Sequence, residues 1–360
     1  MRRHGHIKVL IVDDSALVRS ILTRVIEGAE DIQVIGEAKD PFEARELIIA
    51  YRPDVIILDI EMPRMDGITF LKRLMVHYPV PVIMCSGHAP ANSRTAIEAI
   101  ECGAIDVVAK PVTGGSMALL QLGEDLAEKI RAAVEARPAP LPITGSAVAP
   151  PASFRETGID PNRCIVAIGA STGGTDAIRQ VLAAAPADFP PTVMVQHMPE
   201  GFTYSFATRL NDFSAMRISE AVDGERIEAG KGVLARGGLQ MVVKAAGGSL
   251  RTAYAGSQPV NRHSPSVDVL FDSVARIADR RIIGILLTGM GADGARGLLN
   301  MRQNGALTIA QTRESCVVYG MPKMAVELGA AQYQCAPGDV PRTIIHAIKT
   351  GRRVKAATAR

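Results

Sequence analysis

Short, nearly continuous apolar runs alternate with amphipathic stretches through the first third of the chain. "IKVLIVDD", "IQVIGEA", "DVIILDI", "VPVIMCSG" and "AIDVVAK" have the length and apolar, β-branched character of strands. Between them, stretches such as "ALVRSILTRVIEG" and "FEARELIIAYR" carry apolar residues at helical spacing. Five repeats of that alternation predict a parallel sheet covered by helices on both faces. The pattern then collapses, since residues 136–161 hold six of the chain's 22 prolines and little apolar periodicity. Such a stretch is out of place inside one compact domain and ordinary between two. Alternation resumes after it, with "RCIVAIGA", "PTVMVQH" and "RIIGILLTG" as the clearest strands. The expected layout is α/β throughout: a first domain over 1–130, a linker over 131–160, a doubly wound second domain over 161–352 and a basic tail over 353–360.

Composition narrows the class without naming it. At 360 residues the chain is long for a single core, in keeping with two domains. Its 47% hydrophobic and 21% charged residues are those of a soluble globular protein. No apolar run is long enough to cross a bilayer, and acidic residues interrupt the run behind the basic start "MRRHGH". Cys85, Cys102, Cys164, Cys316 and Cys335 are scattered and never form CxxC, as expected of thiols in a reducing cytoplasm. A net charge of +3, with no helix-turn-helix pattern or basic recognition stretch, gives no reason to expect nucleic-acid binding. A cytoplasmic monomer without membrane insertion is expected.

In an open parallel sheet, functional side chains gather beyond the carboxyl ends of the strands. In the first domain those ends carry Asp13 and Asp14, Asp59, Ser86 and Lys110. Carboxylates forced together repel unless a cation joins them, and hard oxygen ligands suit Mg²⁺. A lysine and a hydroxyl opposite can hold the oxygens of a phosphoryl group. A single aspartate such as Asp14 could merely cap a helix. Suitable residues at four strand ends outweigh that reading.

"VLIVDDSALVR", "DVIILDIEMPRMDGITFL", "MCSG" and "AKP" resemble the receiver domain of bacterial response regulators, a flavodoxin-like fold, over residues 7 to about 125. The resemblance implies that Asp59 accepts the phosphoryl group from a histidine kinase. It places Mg²⁺ on Asp13, Asp14, Asp59 and the Glu61 backbone carbonyl, and makes Ser86 and Lys110 the phosphoryl sensors. Receivers commonly carry an aromatic switch residue three positions before the lysine, where this chain has Val107.

The second domain opens on "IVAIGASTGGTDAI". A dinucleotide fingerprint needs a second glycine for close approach to a pyrophosphate, and Ser171 stands there instead. The same letters fit GxSxG at Gly169, Ser171 and Gly173, a tight strand-to-helix turn that exposes a serine hydroxyl. A helix start would add N–H groups near a developing oxyanion. Taken alone, the turn fits either reading. A nucleophilic serine needs a base, and His197 follows a strand at the same sheet edge, with His263 a loop-borne competitor. The third group must be a carboxylate. Asp293, in the glycine-rich turn after "RIIGILLTG", lies at that edge too, while Asp268 is a rival within a helical pattern. Three strand ends delivering Ser, His and Asp to one crevice favour the nucleophile.

"IGASTGGTDAI", "VQHMP", "HSPSVDVLF", "LLTGMGADGARG" and "ESCVVYGMPKMA" together resemble the chemotaxis protein-glutamate methylesterases of the CheB family, as does the order receiver, linker, catalytic domain. That resemblance implies a triad of Ser171, His197 and Asp293, with the Met290 backbone N–H in the oxyanion hole. It implies hydrolysis of glutamyl γ-methyl esters on chemoreceptors, with methanol released, and deamidation of receptor glutamines. It further implies an esterase needing no cofactor, whose cleft an unphosphorylated receiver covers. The order Ser…His…Asp differs from the α/β-hydrolase order, so GxSxG here is convergent geometry.

Overall fold

The computed structural model describes residues 6–87, 90–110, 116–136 and 153–350. They fall in two compact units, Met1–Ile143 and Thr144–Arg360. Most of the expected linker, the tail over 353–360, His4 and His88 lie outside the described residues.

The first unit alternates strand and helix throughout. Its strands are β1 (Ile7–Val12), β2 (Ile32–Ala38), β3 (Val55–Asp59), β4 (Val82–Ser86) and β5 (Asp106–Ala109). The helices between and after them are α1 (Ala16–Ile26), α2 (Pro41–Tyr51), α3 (Gly67–His77), α4 (Pro90–Glu101) and α5 (Ser116–Glu135). All strands are parallel in the order β2-β1-β3-β4-β5. That is the flavodoxin-like arrangement. Val9, Ile11, Ile57 and Ile83 bury against Leu22 and Ile26 of α1 and Leu126 and Ile130 of α5. Helix α1 is capped by Ser15, whose side chain accepts from Val18 N–H, and not by Asp14.

The second unit is built on seven parallel strands in the order β15-β14-β13-β6-β7-β10-β8. These are β6 (Cys164–Ala170), β7 (Thr192–Gln196), β8 (Arg217–Glu220), β10 (Lys231–Leu234), β13 (Arg281–Leu286), β14 (Leu307–Gln311) and β15 (Tyr333–Cys335). Helices α6 (Gly174–Ala183), α7 (Phe202–Phe213), α8 (Val267–Ala275), α9 (Ala295–Gln303), α10 (Met321–Glu327) and α11 (Val340–Thr350) complete the alternation. A small antiparallel sheet of β9 (Arg226–Ile227), β11 (Met241–Ala246) and β12 (Ser249–Tyr254) is an addition that the strand–helix pattern did not foretell. Met241, Val243 and Leu250 from it join Phe271 and Val274 of α8 in one core with the main sheet.

The chain enters the main sheet at β6, moves to β7 on one side, and returns later to β13 on the other. The strand order therefore reverses beside β6, the point where such sheets open a crevice at their carboxyl ends. Both ends of the span expected as linker carry structure. Helix α5 runs on to Glu135, and the 3-10 turn Phe154–Thr157 hangs on Asp188, which accepts from Phe154 N–H at 2.7 Å. Among the described residues, no helix is long and apolar enough to cross a membrane.

Candidate active site

Ser171 directly follows β6 and His197 directly follows β7, and the strand register pairs Ala170 with Gln196. Adjacent strands lie about 4.8 Å apart, so serine and histidine leave the sheet as neighbours. Two bonds hold that edge: His197 N–H donates to the Ala170 carbonyl at 3.1 Å, and Ser171 N–H donates to the Thr288 carbonyl at 3.0 Å. The second commits the serine's own amide, so it is not a free oxyanion donor. Gly174 N–H is likewise committed, to the Ser171 carbonyl at 2.7 Å. Gly173 turns the chain into α6 with φ +75, and a Cβ there would lie 2.5 Å from the Val317 side chain. A β-carbon is excluded twice over at this corner.

Asp293 comes from the turn between β13 and α9 and is 4% exposed. Its Oδ2 lies 2.9 Å from His197 Nε2 and accepts from Val267 N–H at 2.6 Å. Its Oδ1 accepts from Asn261 Nδ2 at 2.7 Å, Ser266 Oγ at 2.8 Å and Asp268 N–H at 3.2 Å. Burial would raise this carboxyl, but the hydrogen bond and charge of His197, with Asn261 and Val267, hold it well below the usual carboxylate range. An ionised carboxylate only accepts, so Nε2 of His197 carries the proton of the neutral ring. The lone pair of the neutral imidazole then sits on Nδ1, which is buried and, among the described residues, has no hydrogen-bond partner.

The two rivals from the sequence both lie beside this centre in other roles. The His263 ring stacks on that of His197, centroids 3.6 Å apart and planes at 15°. The Asp268 carboxylate accepts from Gly297 N–H at 2.7 Å and Asn261 Nδ2 at 2.8 Å. Asp268 thus ties the starts of α8 and α9 together, and burial raises its carboxyl. Asn261 and Ser266, which sequence reasoning passed over, come from the loop ahead of α8. Its path follows no periodicity, so nothing short of the fold brings them to Asp293.

Met290 is half-buried and follows Gly289, whose place is fixed by close approach. A Cβ on Gly289 would lie 2.6 Å from the Ser171 Cβ and 2.3 Å from the Met321 sulfur. Gly289→Ala is therefore expected to push the serine out of line. A loss of one to two orders of magnitude in kcat with a drop of about 1–3 kcal/mol in stability is the expected result. A variant with wild-type turnover would show that the serine tolerates the displacement.

In the first unit, carboxylate oxygens of Asp13, Asp14 and Asp59 all lie within 4.8 Å of one another. Lys110 Nζ stands 2.7 Å from Asp59 Oδ2 and 3.0 Å from Asp13 Oδ2. Burial pushes the Asp59 carboxyl up to about 6, with Asp13 adding to the rise and Lys110 opposing it. Burial alone would lower the Lys110 ammonium, but Asp59 and then Asp13 carry it above its ordinary value. Ser86, buried at the end of β4, is next to Cys85, the register partner of Asp59, and its carbonyl accepts from Lys110 N–H at 2.8 Å. Glu61 N–H donates to Asp59 Oδ1 at 3.2 Å. Val107 is buried within β5.

The two units match different families. Residues 166–344 match the CheB methylesterase family, and residues 9–120 match the response regulator receiver domain. The chain belongs to the CheB methylesterase family. A protein-glutamate methylesterase/protein-glutamine glutaminase 1 of Dechloromonas aromatica is 47% identical over 344 residues, covering 95% of this chain and 98% of that one. A protein-glutamate methylesterase/protein-glutamine glutaminase of Salmonella choleraesuis is 44% identical over 349 residues, covering 97% of this chain and 99% of that one. The CheB methylesterase catalytic domain of Thermotoga maritima superposes with a TM-score of 0.50 at 38% identity, covering 51% of this chain and 97% of that one.

Proposed function

We propose that this CheB-family chain hydrolyses glutamyl γ-methyl esters on chemoreceptors, and deamidates receptor glutamines, through Ser171, His197 and Asp293. The observation that carries the reading is the Asp293–His197 hydrogen bond at 2.9 Å, on a histidine whose strand is in register with that of the serine. His197 Nδ1 takes the Ser171 hydroxyl proton as Oγ bonds to the ester carbonyl carbon. Backbone N–H donors, with Met290 among them, face the resulting oxyanion. The C–OCH₃ bond then breaks and the imidazolium returns its proton to the leaving methoxide, giving methanol. Water, losing a proton to the same nitrogen, attacks the acyl carbon, and Ser171 leaves with its proton restored. With a glutamine amide the leaving group is ammonia and the product glutamate is the same. Asp293 holds the ring in one tautomer and stabilises the transient cation.

Control resides in the first unit, where a histidine kinase is the phosphodonor and Asp59 the acceptor. The donor set fits a hard divalent cation: three carboxylates within 4.8 Å and oxygen ligands only. Asp13, Asp14 and Asp59, with the Glu61 carbonyl, would hold Mg²⁺, which when bound offsets the negative charge gathering on the phosphoryl oxygens. Lys110 neutralises part of the pocket and, with Ser86, receives those oxygens. Adding Mg²⁺ to metal-free protein should stabilise the first unit by about 2.7 kcal/mol at a hundredfold excess over Kd. Calorimetry reads that shift, and Asp59→Asn should shrink it. An unmoved transition would remove the metal assignment.

Phosphorylation adds charge and acceptor oxygens to a packed domain and can shift the equilibrium of its faces. The decisive assay is methanol release from methylated receptor membranes with and without a phosphodonor. Stimulation is expected for the whole chain and not for Asp59→Asn. A fragment starting near residue 153 should exceed the unphosphorylated whole chain in activity. Moving a gate from mostly shut to mostly open needs roughly 5 kcal/mol. Equal rates for fragment and whole chain would sink the regulatory reading while leaving the esterase intact.

A further inference from the structure

We propose that Gln196 is a positioning residue whose carboxamide fixes the spacing of nucleophile and base. The inference rests on the triad reading above and adds a group that takes no part in bond making. Gln196 is the last residue of β7 and is 2% exposed. Its Nε2 donates to the Ser171 carbonyl at 2.9 Å and to the His197 carbonyl at 3.3 Å. One amide nitrogen thus spans the two turns that leave the sheet with the serine and the histidine. Both partners are carbonyl oxygens, which only accept, so the nitrogen end of the carboxamide must face them.

The other end of this side chain has a different surrounding. Oε1 is buried and, among the described residues, has no hydrogen-bond partner. A buried acceptor left unpaired costs free energy, so a side chain kept only for packing would be better apolar. Room for it exists because residue 174 is glycine. A Cβ there would lie 2.2 Å from Oε1 and 2.6 Å from the Ala170 Cβ. The first residue of α6 and the last residue of β7 are therefore a matched pair, small against long.

The consequence for the chemistry is geometric. The Ser171 carbonyl already accepts from Gly174 N–H at 2.7 Å, which sets the serine turn relative to its own helix. Gln196 adds a second link between that turn and the histidine's strand, beside the His197 N–H to Ala170 carbonyl bond at 3.1 Å. Without it the sheet register and that bond still make the two residues neighbours, but the peptide planes that carry the Ser171 and His197 carbonyls lose their common donor and can tilt against each other. Misplacement of reacting groups by about 1 Å can cost on the order of a hundredfold in rate. Binding of the ester is expected to be left alone, because Gln196 is buried.

The test uses full-length protein with Gln196→Met, which keeps the length and removes the donor, and Gln196→Glu, which loses it only when ionised. Methanol release from methylated receptor membranes gives kcat and KM, and a fluorophosphonate probe reads serine reactivity directly. For Gln196→Met a 10- to 100-fold lower kcat at unchanged KM is expected, with slower probe labelling. For Gln196→Glu the activity relative to wild type should rise as pH falls, because the protonated acid can again donate to a carbonyl. Wild-type kcat in Gln196→Met, or a Gln196→Glu deficit that stays constant with pH, overturns the proposal. A Gln196→Met variant that does not fold leaves the pH response of Gln196→Glu to decide. The Ser171→Ala control separates the two readings: if it is inactive and Gln196 variants are normal, only the positioning role fails. If it is active, the triad fails.

Discussion

Ser171→Ala is expected to lower methanol release by about a million-fold, since a nucleophile acting within a triad loses nearly all of the unit's catalysis when removed alone. The fold should be nearly untouched. The backbone at Ser171 is held by its own N–H to the Thr288 carbonyl and by its carbonyl to Gly174 and Gln196, none of which involves the hydroxyl. Loss of one buried hydroxyl changes stability by about 1 kcal/mol. An urea midpoint close to wild type beside a vanished rate would therefore assign the loss to chemistry. Fluorophosphonate labelling should vanish with it. Methanol release near the wild-type rate would end the nucleophile assignment.

The apolar run, glycine-rich turn and helical pattern around Ser171 fit a phosphate cradle as well as a nucleophile. The parallel-sheet rule, by placing His197 and Asp293 at the same edge after strands as plain as β6, is what favoured the nucleophile. In the first unit the same rule points to Asp13, Asp14, Asp59 and Lys110, which the structure brings together, and to Ser86 at the end of β4. It favoured His197 over His263, because a strand end has a predictable place and a loop has none. The structure brings both rings to the centre and gives them different positions, one in line with Asp293 and one stacked on its face. The small antiparallel sheet was hidden for a related reason. Strand β9 is two residues long and is separated from β11 by β10 of the main sheet, while β11 and β12 are six residues each and meet at the Gly247–Gly248 turn, so no strand–helix alternation builds up. Nor could sequence say which imidazole nitrogen faces the carboxylate. That depends on where the loop carrying Asn261 and Ser266 places its donors around Asp293.

The control unit differs from the usual receiver pattern in a way that constrains how it signals. Val107, a β-branched side chain buried within β5, has few rotamers and no polar tip. It cannot swing between buried and exposed positions as an aromatic residue can. Under the proposed function, movement in response to phosphate would start from Ser86 and Lys110, the groups proposed to receive the phosphoryl oxygens. Their backbones are joined by the Lys110 N–H to Ser86 carbonyl bond at 2.8 Å, so a pull on one is felt by the other.

Asp293→Asn should cost about ten-thousandfold in kcat and also destabilise the second unit, and the two effects have separable signatures. The rate falls because an amide can present its NH₂ to the imidazole and favour the wrong tautomer, taking the lone pair of Nδ1 out of play. Stability falls because Oδ1 and Oδ2 accept five hydrogen bonds in a buried setting, and an amide nitrogen can accept none of those that meet it. Breaking such a network costs about 1–3 kcal/mol per unsatisfied group. The pH dependence follows from the carboxyl's depressed folded value. Between that value and the unfolded carboxylate's ordinary pKa near 4, the unfolded chain binds the extra proton, so wild-type stability rises with pH there. The contribution is fully present above pH of about 4 and is lost as pH falls through the folded value. The gap in urea midpoint between wild type and Asp293→Asn should therefore be widest near neutrality and narrow on acidification. A gap that stays constant from pH 7 to pH 3 would mean that the charge on Asp293 contributes nothing to the fold, and equal midpoints at pH 7 would mean that its hydrogen bonds do not either.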